Sequence, residues 1–143
     1  MSAESLYEKD FYAWSQQQAA LLRAGRAGEA DLENIAEEIE SMGKTEKREL
    51  VSRLTVLLLH LVKWRYQPGK RGRSWRLSIK GQRVDIRDLL DQNPSLKPLV
   101  AQSVDQAWPR ALIEAEKETG LEAFPATCPW GAEALLDDDF WPD

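Results

Sequence analysis

The residues best suited to chemistry in this sequence are cations, and they are concentrated in one segment. Residues 63–87 carry nine lysines and arginines against a single acidic residue, Asp85, so this segment is locally +8 within a chain of formal net charge −5. Trp64, Tyr66 and Trp75 lie among these cations, and such a mixture can neutralise anionic groups and stack on flat ones. We therefore predict a binding surface here. Its residues are Lys63, Trp64, Arg71, Arg73, Trp75, Arg76, Lys80, Arg83 and Arg87.

The spacing of four of these cations predicts that they lie along one face of a helix. Arg76, Lys80, Arg83 and Arg87 follow one another at i, i+4, i+7 and i+11, which places them on one helix face. We expect this face to dock an acidic protein partner or another copy of the chain. Nucleic acid is the less favoured partner, because the sequence pI is about 5.0, whereas a small nucleic-acid-binding domain commonly has a pI above about 9.

The cations can instead pair inside the protein. Glu33, Glu37 and Glu40 form an acidic stripe of similar pitch, and residues 137–139 are three consecutive aspartates. If these groups face the cations, the charges cancel within one molecule and each exposed ion pair contributes only about 0 to 1 kcal/mol. Whether the basic stripe is exposed or paired decides between binding and purely structural roles.

An enzymatic alternative depends on His60, because it is the single histidine in the chain. In this alternative His60 acts as a general base, with Glu49 or Glu46 orienting it and Arg53, Lys63 or Arg83 clamping an anionic substrate. The reaction would then be that of a hydrolase or transferase. The structural alternative is a histidine at the edge of the core, hydrogen-bonded to a carboxylate or to a backbone carbonyl.

We expect no metal and no cofactor. The glutamate pairs 37/40 and 46/49 could offer oxygen ligands, but charge stripes of this kind are typically solvated faces. Cys128 and His60 are the sole soft ligands, too few for a zinc site. Cys128 could serve as a nucleophile with His60, but a lone cysteine beside proline and tryptophan is more often a small packed hydrophobe.

Helical periodicity dominates the elements that must position these residues. It predicts a first helix over residues 5–24, a second over 31–42 that Gly43 ends, and a third over 45–66. A fourth is predicted from an N-cap at Ser74 to Gln92, and a fifth over 94–120 that Pro109 kinks or splits. Residues 121–143 are rich in proline and glycine, with one short helical turn within 130–136.

The fold class predicted from this pattern is all-α. We expect a single domain over residues 1–143, built as one bundle of four to five helices and filled by tryptophans. Trp14, Trp64 and Trp108 lie on apolar helical stripes and are expected in the core. The longest apolar stretch, residues 54–62, is far shorter than the roughly 20 residues that a membrane-spanning helix needs. With one cysteine and no leader pattern, the expected location is the cytoplasm.

Seven landmarks along nearly the whole chain resemble a known family. They are Tyr-x-x-Asp-Phe-Tyr-Ala-Trp at 7–14, Asn-Ile-Ala-Glu-Glu-Ile-Glu-Ser-Met-Gly at 34–43, His-Leu-Val-Lys-Trp at 60–64 with Gln-Pro at 67–68, Ser-Trp at 74–75, Gln-Arg at 82–83, Asn-Pro-Ser-Leu at 93–96, and Cys-Pro-Trp at 128–130. This series resembles the domain of unknown function family 29 (DUF29), a family of small, mostly bacterial proteins. The resemblance implies a helical fold, and it implies no reaction, cofactor, partner or catalytic residue. Gly72, Arg73 and Pro109 depart from the expected pattern, at a loop and within a helix.

Overall fold

A computed structural model describes residues 5–143, and in this range the chain forms helices and no strand. The prediction of an all-α helical bundle is therefore confirmed. The chain divides into two compact units at Thr45, one comprising the described residues 5–45 and the other residues 46–143. The single domain expected over residues 1–143 stays a prediction.

Six α-helices lie in the described residues, and four of them are long. Short 3₁₀ turns occur at Ala27–Glu29, Pro68–Lys70 and Pro94–Leu99. The α-helices are α1 (Leu6–Lys9), α2 (Phe11–Arg23), α3 (Leu32–Tyr66), α4 (Arg73–Gln92), α5 (Val100–Thr119) and α6 (Ala132–Leu136).

The predicted first helix is broken at Asp10. Ser5 caps the short α1, and its hydroxyl oxygen accepts a hydrogen bond from the Glu8 amide. Asp10 then starts α2 as a new N-cap, with its carboxylate accepting from the Ala13 amide at 3.0 Å. An aspartate inside an apolar helical pattern can therefore act as a boundary, because its side chain satisfies an amide that otherwise has no partner.

The predicted helices over 31–42 and 45–66 are one continuous helix, α3, so the expected stop at Gly43 is wrong. In the described residues a positive φ, the usual sign of a glycine helix end, occurs only at Gly25 and Gly120. Gly43 instead keeps a helical backbone, at a cost of about 1 kcal/mol relative to alanine.

Three further expectations for the helices are wrong. The fifth helix begins at Val100 rather than at residue 94, because Pro94–Leu99 form a 3₁₀ turn. Helix α4 begins at Arg73 with Gly72 as its N-cap, so Ser74 lies inside the first turn. Pro109 does not split the fifth helix, since α5 continues through it to Thr119. Proline lacks an amide hydrogen, so one intrahelical hydrogen bond is missing at this position.

In residues 5–45, α2 and the first part of α3 are joined by a polar network around Asp31. The Trp14 indole donates to the Asp31 carboxylate at 3.1 Å, and the Gln18 side chain accepts from the Asp31 amide at 2.7 Å. Hydrogen bonds from Asn34 and Trp14 lower the pKa of Asp31. Among the described residues of this unit only Trp14 and Gln18 are buried, so hydrogen bonds rather than a core define it.

The same unit contains a second polar contact and an apolar groove. The Tyr7 hydroxyl donates to Glu38, and this hydrogen bond is the main reason that the Tyr7 pKa is raised to about 12. A groove of about 190 Å³ has an apolar lining that includes Trp14, Leu22 and Ile39.

Residues 46–143 contain the hydrophobic core. Leucines of α3, isoleucines of α4 and small residues of α5 interdigitate, and the C-terminal segment completes the core with the fully buried Leu135. Trp108 of α5 is buried in this core, and its indole donates to the Pro125 carbonyl at 3.0 Å. Burying these side chains gives the unit its main stabilisation, at about 1.5 to 3 kcal/mol for each large apolar residue.

Candidate functional site

Arg83 is at the centre of the predicted cationic surface, and it is fully buried. Its guanidinium donates from Nε to the Leu135 carbonyl at 2.7 Å and from one Nη to the Phe140 carbonyl at 2.8 Å. It also lies against the Trp141 ring, 5.4 Å from the ring centre. Loss of hydration on burial lowers the Arg83 pKa. Arg83 thus fixes the C-terminal segment to α4 and is not available to a partner in this conformation.

Two more of the predicted binding residues contact the same C-terminal segment. Arg87 donates to the Leu136 carbonyl at 2.9 Å and forms a two-pronged ion pair with Asp138 at 2.9 and 3.2 Å. Arg71 donates to the Pro142 carbonyl at 3.3 Å. The protein's own chain therefore satisfies much of the charge concentrated in residues 63–87.

The aromatic members of the surface are also engaged. Lys63 is buried, pairs with Glu118 at 2.9 Å and lies 4.9 Å from the Trp75 ring centre. Trp64 is half-buried, 4.8 Å from the ring centre of Trp141. These contacts stabilise residues 46–143 and leave little of either ring for base stacking.

Three cations of the predicted surface remain exposed on α4. For Arg73, Arg76 and Lys80 the part of the chain that the structure describes offers no hydrogen-bond or ion-pair partner. Leu77 and Val84, 49% and 48% exposed, follow the same helix face. We call Arg73, Arg76, Leu77, Lys80 and Val84 the α4 outer face. Its apolar members were not predicted from the sequence, although their seven-residue spacing is the signal that reveals them.

The acidic stripe of α3 is exposed in its own unit. Glu33, Glu37 and Glu40 form no ion pair within the described residues 5–45. Of the three C-terminal aspartates, Asp138 pairs with Arg87, whereas Asp137 accepts from the Asp139 amide. Internal pairing therefore occurs mainly through the carbonyls of the C-terminal segment.

The residues of the enzymatic alternative are not brought together. The His60 ring nitrogen Nδ1 is 2.8 Å from the Val56 carbonyl of its own helix. Arg53 contacts Glu49 and Asp85, each at 3.0 Å, beside a cavity of about 150 Å³. His60 lies two helical turns, about 10 Å, beyond Arg53, and the residues lining that cavity do not include it.

A larger cavity of about 350 Å³ lies where α4 meets the C-terminal segment. Leu90, Val100 and Leu136 form its apolar walls, and Arg87 and Lys97 stand at its edge. Sequence patterns did not predict it, because its walls come from three separate parts of the chain. Arg87 is already bonded to Leu136 and Asp138.

Cys128 is half-buried and its thiol donates to the Trp130 carbonyl. Burial raises its pKa, which is the opposite of what an activated thiolate needs. Within residues 5–143 no three or more His, Cys, Asp or Glu side chains are grouped so that they could hold a metal ion. None of the helices described is both long and apolar enough to cross a membrane.

Comparison with known proteins gives one result. A family model described as "Domain of unknown function DUF29" matches residues 6–141. Searches of curated proteins and of solved structures find no match.

Proposed function

The chain belongs to the DUF29 family, and from that premise we propose that it is a binding module whose α4 outer face docks an acidic surface on a macromolecular partner. The observation that carries the proposal is the exposure of Arg73, Arg76 and Lys80, while neighbouring cations such as Arg83 and Arg87 are held by the C-terminal segment. Unpaired cations on a rigid helix are available to an anionic partner without breaking an internal contact.

The apolar members of the face supply what charge alone lacks. Leu77 and Val84 are about half exposed beside the three cations. Interfaces gain affinity mainly from buried apolar contacts, whereas complementary charge gives on-rate and specificity. A partner with apolar residues beside carboxylates would satisfy both parts of the face, and a protein helix offers that combination.

We further propose that the protein is cytoplasmic, because its single cysteine cannot form an intramolecular disulfide and disulfides are uncommon in that compartment. The resemblance to a mostly bacterial family supports a bacterial source. A nucleic acid is the competing ligand for the same cations. It has little ring surface on which to stack its bases, because Trp64 already contacts Trp141 and Trp75 already contacts Lys63. The enzymatic alternative draws no support from His60, which is bonded to a backbone carbonyl.

Binding to a defined acidic probe tests the proposal. The probe is a labelled amphipathic helical peptide with leucines on one stripe and glutamates beside it, and fluorescence anisotropy measures its affinity. Arg73→Glu with Lys80→Glu removes two attractions and adds two repulsions, so we expect the dissociation constant to rise at least tenfold, about 1.4 kcal/mol. Binding should also weaken as salt is raised.

Two controls distinguish specific binding by the α4 outer face from a general effect of charge and from binding of nucleic acid. Arg48→Glu with Arg110→Glu changes the net charge equally at other exposed cations, and it should leave the affinity unchanged. A single-stranded RNA or DNA probe tests the nucleic-acid ligand. Equal binding of the peptide by both double variants, or tighter retention of RNA or DNA than of the peptide, contradicts the proposal.

A further inference from the structure

The α4 outer face has a seven-residue repeat. Its exposed apolar residues, Leu77 and Val84, are separated by seven positions, and so are the basic residues Arg73 and Lys80. Gly81 lies between the two apolar residues on the same face. Seven residues are two turns of a helix, about 10 Å, so the face presents two apolar contacts with a cation beside each.

An exposed strip on the first part of α3 has the same repeat with the opposite charge. Leu32 and Ile39 are separated by seven positions and are 55% and 63% exposed. Glu33 and Glu40 follow them directly in sequence and are exposed. Ala36 occupies the position between the two apolar residues. We call these five residues the α3 acidic strip.

The α4 outer face and the α3 acidic strip fit each other in the geometry of a parallel coiled coil. With Leu32 and Ile39 at d positions, Glu33 and Glu40 fall at e; with Leu77 and Val84 at d, Arg73 and Lys80 fall at g. Parallel pairing joins d to d and g to the e position five residues further along. One register forms all four of these pairs at once: Leu32 with Leu77, Ile39 with Val84, Arg73 with Glu33, and Lys80 with Glu40.

The central layer of this register is small on both sides. Ala36 falls opposite Gly81, and a Cβ added at Gly81 would meet no atom within 4 Å. Glycine inside an exposed helix costs about 1 kcal/mol relative to alanine, and nothing within 4 Å of this position requires it. Small residues at a helix contact let two backbones approach closely.

We propose that a second copy of this chain is a partner of the α4 outer face, and that it binds through its α3 acidic strip, parallel to α4. This inference rests on the proposed function and names the acidic surface that the face recognises. Antiparallel pairing is disfavoured, because it would bring Glu33 and Glu40 to the side of α4 that carries Asp85 and Asp88.

The contact joins two different surfaces, so of two joined copies one keeps its α4 outer face free and the other keeps its α3 acidic strip free. Such head-to-tail contacts build short chains or closed rings. A seam of two heptads is small beside the roughly 800 Å² that each partner buries in a stable complex, so we expect weak association, with a dissociation constant of about 10 to 500 µM.

Sedimentation of the full chain at rising concentration and low salt tests the contact. The wild-type protein should shift from monomer to larger species. Two charge reversals should each abolish the shift or weaken it at least tenfold: Arg73→Glu with Lys80→Glu, the α4 variant, and Glu33→Lys with Glu40→Lys, the α3 variant. The two variants mixed in equal amounts should associate again, because each now offers what the other needs.

A chain carrying all four substitutions has the wild-type net charge, and it should also self-associate. Its recovery separates a specific contact from a general effect of net charge, and circular dichroism checks that helicity is kept. A wild-type chain that stays monomeric to about 500 µM overturns the inference, as does a mixture of the two variants that remains monomeric.

The acidic peptide probe separates this inference from the function on which it rests. If the wild-type chain is monomeric but the α4 variant loses the probe, the α4 outer face binds an acidic partner other than this chain, and the inference fails alone. If the probe binds the wild-type and the α4 variant equally, the proposed function itself fails.

Discussion

Buried apolar side chains are divided unequally between residues 46–143 and residues 5–45. Residues 46–143 hold a continuous core that includes Leu57, Ile86 and Trp108. Among the described residues 5–45, the buried ones are Trp14 and Gln18. The smaller unit relies on directional hydrogen bonds around Asp31 and leaves most of its large apolar side chains exposed. A helix pair of this kind gains little from folding alone, and its exposed strip is available to a partner.

The cations show the same division within residues 46–143. Arg83 is buried and bonded to two carbonyls, whereas Arg76, seven residues earlier on α4, is exposed. Both belong to one periodic basic stripe in the sequence. Their environments separate a residue that holds the fold together from a residue that is exposed to solvent.

The largest effect expected is the contrast between one core residue and one exposed apolar residue. Trp108→Ala should lower the free energy of unfolding by about 3 to 5 kcal/mol, because it opens a cavity in the core. Ile39→Ala, in the exposed α3 acidic strip, should change it by no more than about 0.5 kcal/mol. Urea denaturation followed by circular dichroism measures both. Similar losses in the two variants would mean that Ile39 is buried in solution.

A smaller contrast separates the two kinds of cation. Arg83→Met leaves the Leu135 and Phe140 carbonyls without their donor, so we expect a loss of about 2 kcal/mol and faster proteolysis of the C-terminal segment. Arg76→Met makes the same substitution at an exposed position, and its free energy of unfolding should be within about 0.5 kcal/mol of the wild-type value. If Arg83→Met leaves stability and proteolysis unchanged, the C-terminal segment is not held by Arg83.

Much of the helical architecture could be predicted from the sequence, because apolar periodicity identified the long helices. Asp10 and Gly43 were misassigned for a physical reason. An aspartate can either cap a helix or lie on its solvent face, and a glycine can either end a helix or lie within it. The choice depends on backbone angles and tertiary contacts that residue type alone does not specify.

The candidate site could be predicted only in part. The concentration of cations in residues 63–87 was evident, but not the burial of Arg83, because its partners are main-chain carbonyls more than fifty residues away. Any residue type presents such carbonyls, so no side-chain pattern encodes them. The apolar members of the α4 outer face were obscured by the cations around them, although Leu77 and Val84 have the spacing of a helix contact.

An amide chemical-shift map of the full chain, recorded while the acidic peptide is added, tests most directly which cations bind. We expect the exposed cations of α4 to bind the peptide and the cations held by the C-terminal segment not to bind it. We predict that the largest shifts fall within residues 73–84 and that residues 135–142 are unaffected. Largest shifts in residues 135–142, or around His60, would contradict the claim.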